Sequence, residues 1–394
     1  MVANGVYYYD SCETDNGVTL LDEQMRSTLI DMKGNVLAKF PFGITHISSD
    51  GTMIGAMIPA VVKYDADLNL IWKIFASPHH DITTDENGVI YLLSSDVHKF
   101  MGLNVNFDVL KIYCQEGDLI YEWRVFDHLE EFVSVISKSA YLNNLHHPYD
   151  TGKGVEEYIS QDPERFFWHF NPVSKDTAFE FTHFNSIQVL PENAVSKKIP
   201  AFKKGNLLLS FNPYSCYGIL DTALGKIEWA AYLPERATLH TPLLTPDGTI
   251  LVFQNSTESS FWVDKENDPC LEHLHRKIPP KNPSPDPEPR NWVSITEYNP
   301  LTNAKVWEYT ANPRESLRAL MLGSAQRLSN GNTLVCAATD DKGGQIFELT
   351  PDKKIVWSYV SPEKNTANEI PLSFYRAKRI NFDIAKKIIP GLKQ

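Results

Sequence analysis

Three histidines stand at matching points of a repeated pattern, each ahead of an apolar run that leads to a glycine turn. They are His80 in "HHDITTDENGVIYLL", His183 in "HFNSIQVLPEN" and His240 in "HTPLLTPDGTILVF". Imidazole exchanges protons near neutral pH, attacks electrophiles when neutral and binds transition metals through a ring nitrogen. Three at equivalent positions therefore predict a site for acid–base, nucleophilic or metal chemistry. Asp81 and Asn185 lie beside two of them and add polar groups to the set.

What must bring these distant residues together is the repeat. Two further copies, "GITHISSDGTMIGAM" and "GSAQRLSNGNTLVCA", carry Gly43 and Gly323 at the aligned position. Each unit ends in a turn and a strand centred on an aromatic residue: Phe40, Trp72, Trp123, Trp229, Trp307 and Trp357. Ahead of each turn lies a short strand of period two, such as "VVKYD" or "YGILD". Six such units predict an all-β fold, a six-bladed β-propeller of four-stranded antiparallel blades forming a single domain over residues 1–394. The innermost strands of a propeller line its channel, so residues that open those strands meet at one mouth. The N-terminal "GVTLLDE", "STLID" and "NVLAKF" lack an inner strand, and the C-terminal "SFYRAKRI" lacks neighbours. Pairing the last strand with the first blade closes the ring and leaves no open edge.

Two insertions interrupt the pattern, at about 128–180 and 257–291. In the first, Leu129, Phe132, Val133, Ile136 and Tyr141 can share one helical face, followed by "RFFWHF". Phe166, Phe167 and Trp168 either pack this insertion onto the blades or offer rings to an aromatic ligand. His146 and His147 in "HHPY" are either additional site residues or part of a turn before Pro148. The second insertion is rich in proline, and its His273, His275 and Lys277 are assigned no function.

The formal net charge of −12 excludes a nucleic-acid partner, whose phosphates need a basic footprint. No apolar run is long enough for a membrane-spanning helix, so no membrane partner is expected. Five cysteines without CxxC spacing predict neither a disulfide framework nor a thiolate zinc site. The opening "MVANGVYYYD" has no signal-peptide pattern, which predicts a cytoplasmic location, or a periplasmic one if a leader has been removed.

The order "HHDI", "HFNSI", "GNLLLSF", "LHTPLLTPDGTILVFQN", "SAQRLSNGNTL" and "FYRAKR" resembles the bacterial arylsulfate sulfotransferases, from "GVTLLDE" to the closing strand. The resemblance implies a six-bladed propeller that moves a sulfuryl group from one phenol to another without a nucleotide donor and with no cofactor. It implies that His240 is the transiently sulfated histidine. His183 and Asn185 would hold the sulfuryl oxygens or handle the phenolic proton, and His80 would assist at the same mouth. Asn212 stands where the family places an arginine. Asn212, Tyr214, Trp168 and Arg376 are the expected contacts to a small aromatic substrate, with Arg327 the other arginine able to reach the channel. Two other readings use the same residues. In one, His80, His183 and His240 hold a transition metal, with Asp81 or water completing its shell, for hydrolysis, elimination or oxidation of an aromatic compound. In the other, the channel is a non-catalytic binding platform. No pattern in the sequence specifies an oligomeric state.

Overall fold

The computed structural model describes residues 4–23, 25–138, 149–150, 152–167, 179–233, 237–256, 269–279, 281, 290–339, 343–364, 371–389 and 391–392. Its strands form six antiparallel blades around a channel. From the channel outward, blade 1 holds Arg376–Ile380, Val18–Asp22, Ser27–Ile30 and Val36–Phe40, and blade 2 holds Gly43–Ile47, Met53–Met57, Ala60–Tyr64 and Leu70–Phe75. Blade 3 runs Ile82–Thr84, Ile90–Phe100, Leu103–Tyr113 and Leu119–Arg124, and blade 4 runs Ile187–Val189, Leu207–Phe211, Cys216–Asp221 and Lys226–Tyr232. Blade 5 comprises Leu239–Leu244, Ile250–Gln254, Ser294–Tyr298 and Lys305–Thr310; blade 6 comprises Ser324–Arg327, Thr333–Thr339, Gly343–Leu349 and Ile355–Val360.

Neighbouring blades cover both faces of one another, and this changes how the period-two pattern is expressed. Leu207–Phe211 and Cys216–Asp221 are buried along their whole length. Middle strands therefore resemble the continuous apolar strands of sheets covered on two sides. The turns are set by side chains that bond to their own backbone. Asp31, Asp65 and Asp85 each accept the amides two and four residues on.

The predicted closure is present: Val18–Asp22 pairs antiparallel with Arg376–Ile380, with Asp22 opposite Arg376. A second closure is added at the rim. Val6–Tyr9 pairs with Ile355–Val360 as a fifth strand of blade 6, so both ends of the chain cross the junction between blades 6 and 1.

The repeated outer-strand aromatic also has a physical explanation. Trp72, Trp123, Trp307 and Trp357 each donate the indole N–H to a turn carbonyl of the following blade, at Gln115, Gly225, Pro351 and Met32 respectively. Indole supplies a large apolar surface and one donor, which suits a residue that must both pack between blades and tie them. Trp229 packs edge-on against Phe202, and Phe40 against Phe42. Trp357 is fully buried and its bond to Met32 spans the closing junction. Trp357→Phe is expected to cost about 1–2 kcal/mol through the orphaned carbonyl, measured as a lowered midpoint of urea unfolding.

Both insertions leave from the channel mouth that carries the histidines. The hairpin Ile90–Phe100/Leu103–Tyr113 has eleven-residue strands and rises above the other blades at that mouth. Against it pack the helix Leu129–Ile136, through Phe132, Val133 and Ile136, and the helix Pro269–Lys277, through Leu274. Lys277 Nζ donates to Gly102 O at the hairpin tip (2.8 Å), and His273 is exposed. Phe166 and Phe167 are buried in the same aromatic cluster, so they hold the insertion down. Tyr141, His146, His147 and Trp168 lie outside the described residues. Phe179–Glu180 pairs in parallel with Val105–Asn106 of the hairpin. This pairing delivers the chain to His183.

Among the described residues no helix is long and apolar enough to cross a membrane. Cys12, Cys114, Cys216 and Cys336 are free thiols.

Candidate active site

The two first histidines do not sit in strands. His80 and His183 lie in the approach to the innermost strands of blades 3 and 4, with φ of 61° and 43°, while Thr241, directly after His240, has φ of 49°. Left-handed backbone is costly for residues with a Cβ, and its recurrence at three blade entries marks a place where surrounding contacts override local preference. His240 is within its strand, which is bulged between His240 and Leu243.

The rings meet at the mouth, and His79 joins them. The ring centroids of His79 and His80 are 4.0 Å apart, those of His80 and His183 4.6 Å, and those of His79 and His183 5.3 Å. Tyr375 lies beside both His240 and His80, its ring centroid 6.5 Å from that of His240 and 5.8 Å from that of His80. A metal set of His80, His183 and His240 is thus not the grouping formed: the residues whose ligand atoms all lie within 4.8 Å of one another are His79, His80 and His183. His240 is not in that group.

Each imidazole is oriented from behind. His183 Nδ1 donates to the Glu180 carboxylate. His79 Nδ1 is 3.5 Å from Asp108 Oδ1, while Asp108 Oδ2 accepts from Thr182 Oγ1 and from Phe184 N (3.0 Å). Tyr375 Oη donates to Asn185 O (3.2 Å), a group that can only accept, so His80 Nδ1 donates to the tyrosine oxygen at 3.0 Å. His80 Nε2 is buried without a hydrogen-bond partner.

His240 Nδ1 is 2.7 Å from Asn255 Oδ1, and Asn255 Nδ2 donates to Leu322 O at 2.7 Å. The second bond fixes which end of the amide faces the ring, so Nδ1 carries the proton and Nε2 the lone pair. Burial lowers the His240 pKa to about 3, with the Asn255 bond opposing and the charges of His183 and Arg376 adding to the fall. His240 is therefore a neutral imidazole of defined tautomer at neutral pH. Burial also places His80 well below the ordinary range, reinforced by the neighbouring histidines and Arg376. For His79 burial acts downward too, but the Asp108 carboxylate outweighs it and the pKa is raised.

Arg376, from the closing strand, reaches the floor of the mouth. Its Nη1 binds Asp81 Oδ1, and its Nη2 donates to Asn185 O at 2.8 Å. Arg376 Nε is a buried donor without a partner. Asp81 Oδ2 accepts from Ile187 N (2.9 Å). The pair ties blades 1, 3 and 4 together. Deeper in the channel lies a cavity of about 220 Å³, bordered by Ile187, Thr241, Leu243, Gln326, Arg376 and Lys378.

Other expected contacts are engaged elsewhere. Asn185 is buried, its Nδ2 donating to Leu239 O (2.7 Å) and its Oδ1 accepting from Ser210 (2.6 Å). Asn212 Oδ1 accepts from Leu239 N at 2.9 Å. The Asn185 amide nitrogen and the Asn212 amide oxygen thus grip the residue immediately before His240 and position it. Tyr214 is not brought to the mouth, because its ring fills the aromatic core and its hydroxyl donates to Phe181 O. Arg327 pairs with Glu297 and bonds to Gly331 O and Thr333, away from the histidines.

Sequence reading missed His79, Asp108, Glu180, Tyr375 and Asn255 as members of the site. His79 was visible as the first letter of "HHDI", Tyr375 within "FYRAKR" and Asn255 at the end of "LVFQN". The two carboxylates have no comparable signal, since Asp108 lies mid-strand and Glu180 in an insertion.

The buried neutral histidines have a consequence for stability. The unfolded chain binds protons at His240 from pH 6.5 downward, whereas the folded state does so only near pH 3. Stability is therefore complete above pH 6.5 and falls as the pH drops from there toward 3. His240 alone removes about 2 kcal/mol between pH 7 and 5. His46, lowered to about 4 chiefly by burial, and His80 act in the same sense, while the raised His79 opposes them. A lower melting temperature at pH 5 than at pH 7 is expected, and His240→Gln should flatten that dependence.

Comparison with known proteins places the chain as follows. Residues 60–362 match the arylsulfotransferase (ASST) family. Among solved structures the chain is similar to a protein of unknown function from Bacteroides caccae, at 11% identity and TM-score 0.49, over 92% of this chain and 98% of that one. It is also similar to hydrazine synthase of Kuenenia stuttgartiensis, at 12% identity and TM-score 0.43, over 87% and 79% of the two chains. No curated protein matches.

Proposed function

Because the chain belongs to the arylsulfotransferase family, we propose that it transfers a sulfuryl group between phenolic molecules through a sulfated His240. The observation that carries this reading is the fixed tautomer of His240, whose Nε2 lone pair is backed by Nδ1–H donation to Asn255. Nε2 attacks the sulfur of an aryl sulfate. An N–S bond forms as the S–O bond to the aryl group breaks, and that electron pair stays on the phenolate oxygen. A second phenol, on losing its proton, attacks the same sulfur, and the N–S electron pair returns to Nε2.

Sulfuryl transfer resembles phosphoryl transfer in its loose, in-line transition state, where positioning and charge stabilisation dominate. Asn185 and Asn212 support the positioning by fixing Leu239. Arg376 offers the unpartnered Nε donor to sulfuryl oxygens, which compensates in part for the asparagine at position 212. The departing phenolate needs positive charge, and Arg376 and His79, whose pKa the Asp108 carboxylate raises, are the groups that can supply it.

Incubation with 4-nitrophenyl sulfate and an excess of phenol tests the reading. Nitrophenolate should appear with parallel-line, ping-pong kinetics, and a peptide containing His240 should gain the mass of one SO3 group. Absence of both, across several aryl sulfates, would leave the channel a binding platform.

A further inference from the structure

We propose that His79, His80 and His183 form a three-histidine site for a divalent transition metal, with zinc the best match, and that His240 stays outside it. Three imidazoles plus an open fourth position is the ligand set of catalytic zinc. The ligand atoms of the trio lie within 4.8 Å of one another. A tetrahedron with Zn–N bonds of ~2.0 Å has edges of ~3.3 Å, so closing onto a metal needs movements of about 1 Å per ring.

The surroundings are those of a metal site rather than of three chance neighbours. Histidines that bind metals characteristically hold an oxygen acceptor with the opposite ring nitrogen; here His183 and His80 do so, and His79 Nδ1 lies 3.5 Å from the Asp108 carboxylate without a hydrogen bond. His183 Nδ1 has Glu180, and His80 Nδ1 has Tyr375 Oη. Asp108 is itself fixed by Thr182 and Phe184 N. His80 Nε2 is buried without a hydrogen-bond partner, an orphan that a metal bond would satisfy. Left-handed backbone at His80 and His183 holds the two rings in this arrangement.

A metal also resolves an electrostatic difficulty. Three rings this close cannot all carry protons, because like charges at such distances repel strongly. One divalent ion concentrates positive charge at the mouth while every ring stays neutral. It would stand at the same mouth as His240 and act on the oxygens of the sulfuryl group or of the departing phenolate as a Lewis acid. This use of the ion rests on the proposed sulfuryl transfer. Its binding does not.

The test uses the full-length protein, freed of metal with a chelator and of any histidine tag, then titrated with Co2+ as a spectroscopic probe and with Zn2+ in competition. One equivalent of Co2+ should bind, with visible bands of four- or five-coordinate geometry that Zn2+ abolishes. His79→Ala and His80→Ala should weaken Zn2+ binding at least about 100-fold, and Glu180→Gln about 10- to 100-fold. His240→Ala should leave it unchanged. Should the histidine variants fail to fold, the wild-type melting temperature decides, since it must rise with Zn2+ in a saturable, one-site manner. Equal uptake by wild type and His79→Ala, or no saturable binding and no shift in melting, would overturn the site. Stoichiometric binding without aryl sulfate turnover would uphold the metal and reject sulfuryl transfer. Turnover by metal-free protein that binds no Zn2+ would do the reverse.

Discussion

His240→Ala is expected to lower aryl sulfate turnover by at least about 10⁴-fold, the scale on which loss of a covalent nucleophile is felt in enzymes that use one. The reason is geometric. Asn255 holds the proton on Nδ1, so the lone pair at Nε2 is the group that can carry the sulfuryl unit. The substitution should also remove the SO3 mass from the corresponding peptide. Folding should survive, because the strand around position 240 is held through Leu239 by Asn185 and Asn212. Asn255→Leu separates orientation from chemistry. It keeps the ring but frees its tautomer, and should give an intermediate loss in kcat with little change in KM. Retention of wild-type turnover by His240→Ala, with an intact fold, would end the nucleophile assignment.

The second large effect concerns the floor of the mouth. Asp81→Asn should destabilise the protein by about 3–5 kcal/mol, because it strands the Arg376 guanidinium without its counter-charge in a site where both partners are buried. The carboxylate also accepts from Ile82 N (3.0 Å) and Ile187 N, so the loss is shared by blades 3 and 4. Urea unfolding measures it. Asp81→Leu combined with Arg376→Met should cost less than Asp81→Leu alone, since removing both charges leaves neither stranded. Equal or additive costs would mean that the ion pair is not what holds the three blades together.

Most of the architecture could be read from the chain because a propeller writes itself repeatedly. Glycine turns recur in five blades and the outer-strand aromatic in all six, and they carry local physical requirements: a tight turn, and at four of the aromatics an indole bond to the next blade. The positions of His80, His183 and His240 at blade entries followed from the same register. Val6–Tyr9 escaped because an extra rim strand belongs to no repeat. The alternation expected of the middle strands was masked by burial on both faces.

The site was less legible for a related reason. Asp108 meets His79 through space, and Glu180 reaches His183 by way of an insertion whose parallel pairing with Val105–Asn106 has no counterpart in other blades. Nothing periodic announces such contacts. Asn212 was expected at the substrate because it stands where the resembled family places an arginine, and Tyr214 along with it. Backbone partners, Leu239 N and Phe181 O, engage the Asn212 amide oxygen and the Tyr214 hydroxyl.

The strand that closes blade 1 follows every other blade strand in the described chain. Until residues 376–380 emerge during synthesis, Val18–Asp22 has no neighbour on its channel side, and Tyr375 and Arg376 are missing from the mouth. The cluster at the mouth is therefore completed in a single step rather than blade by blade. A chain cut short before Tyr375 would be a nearly whole ring with an exposed strand edge and an incomplete mouth, a product for quality-control proteases.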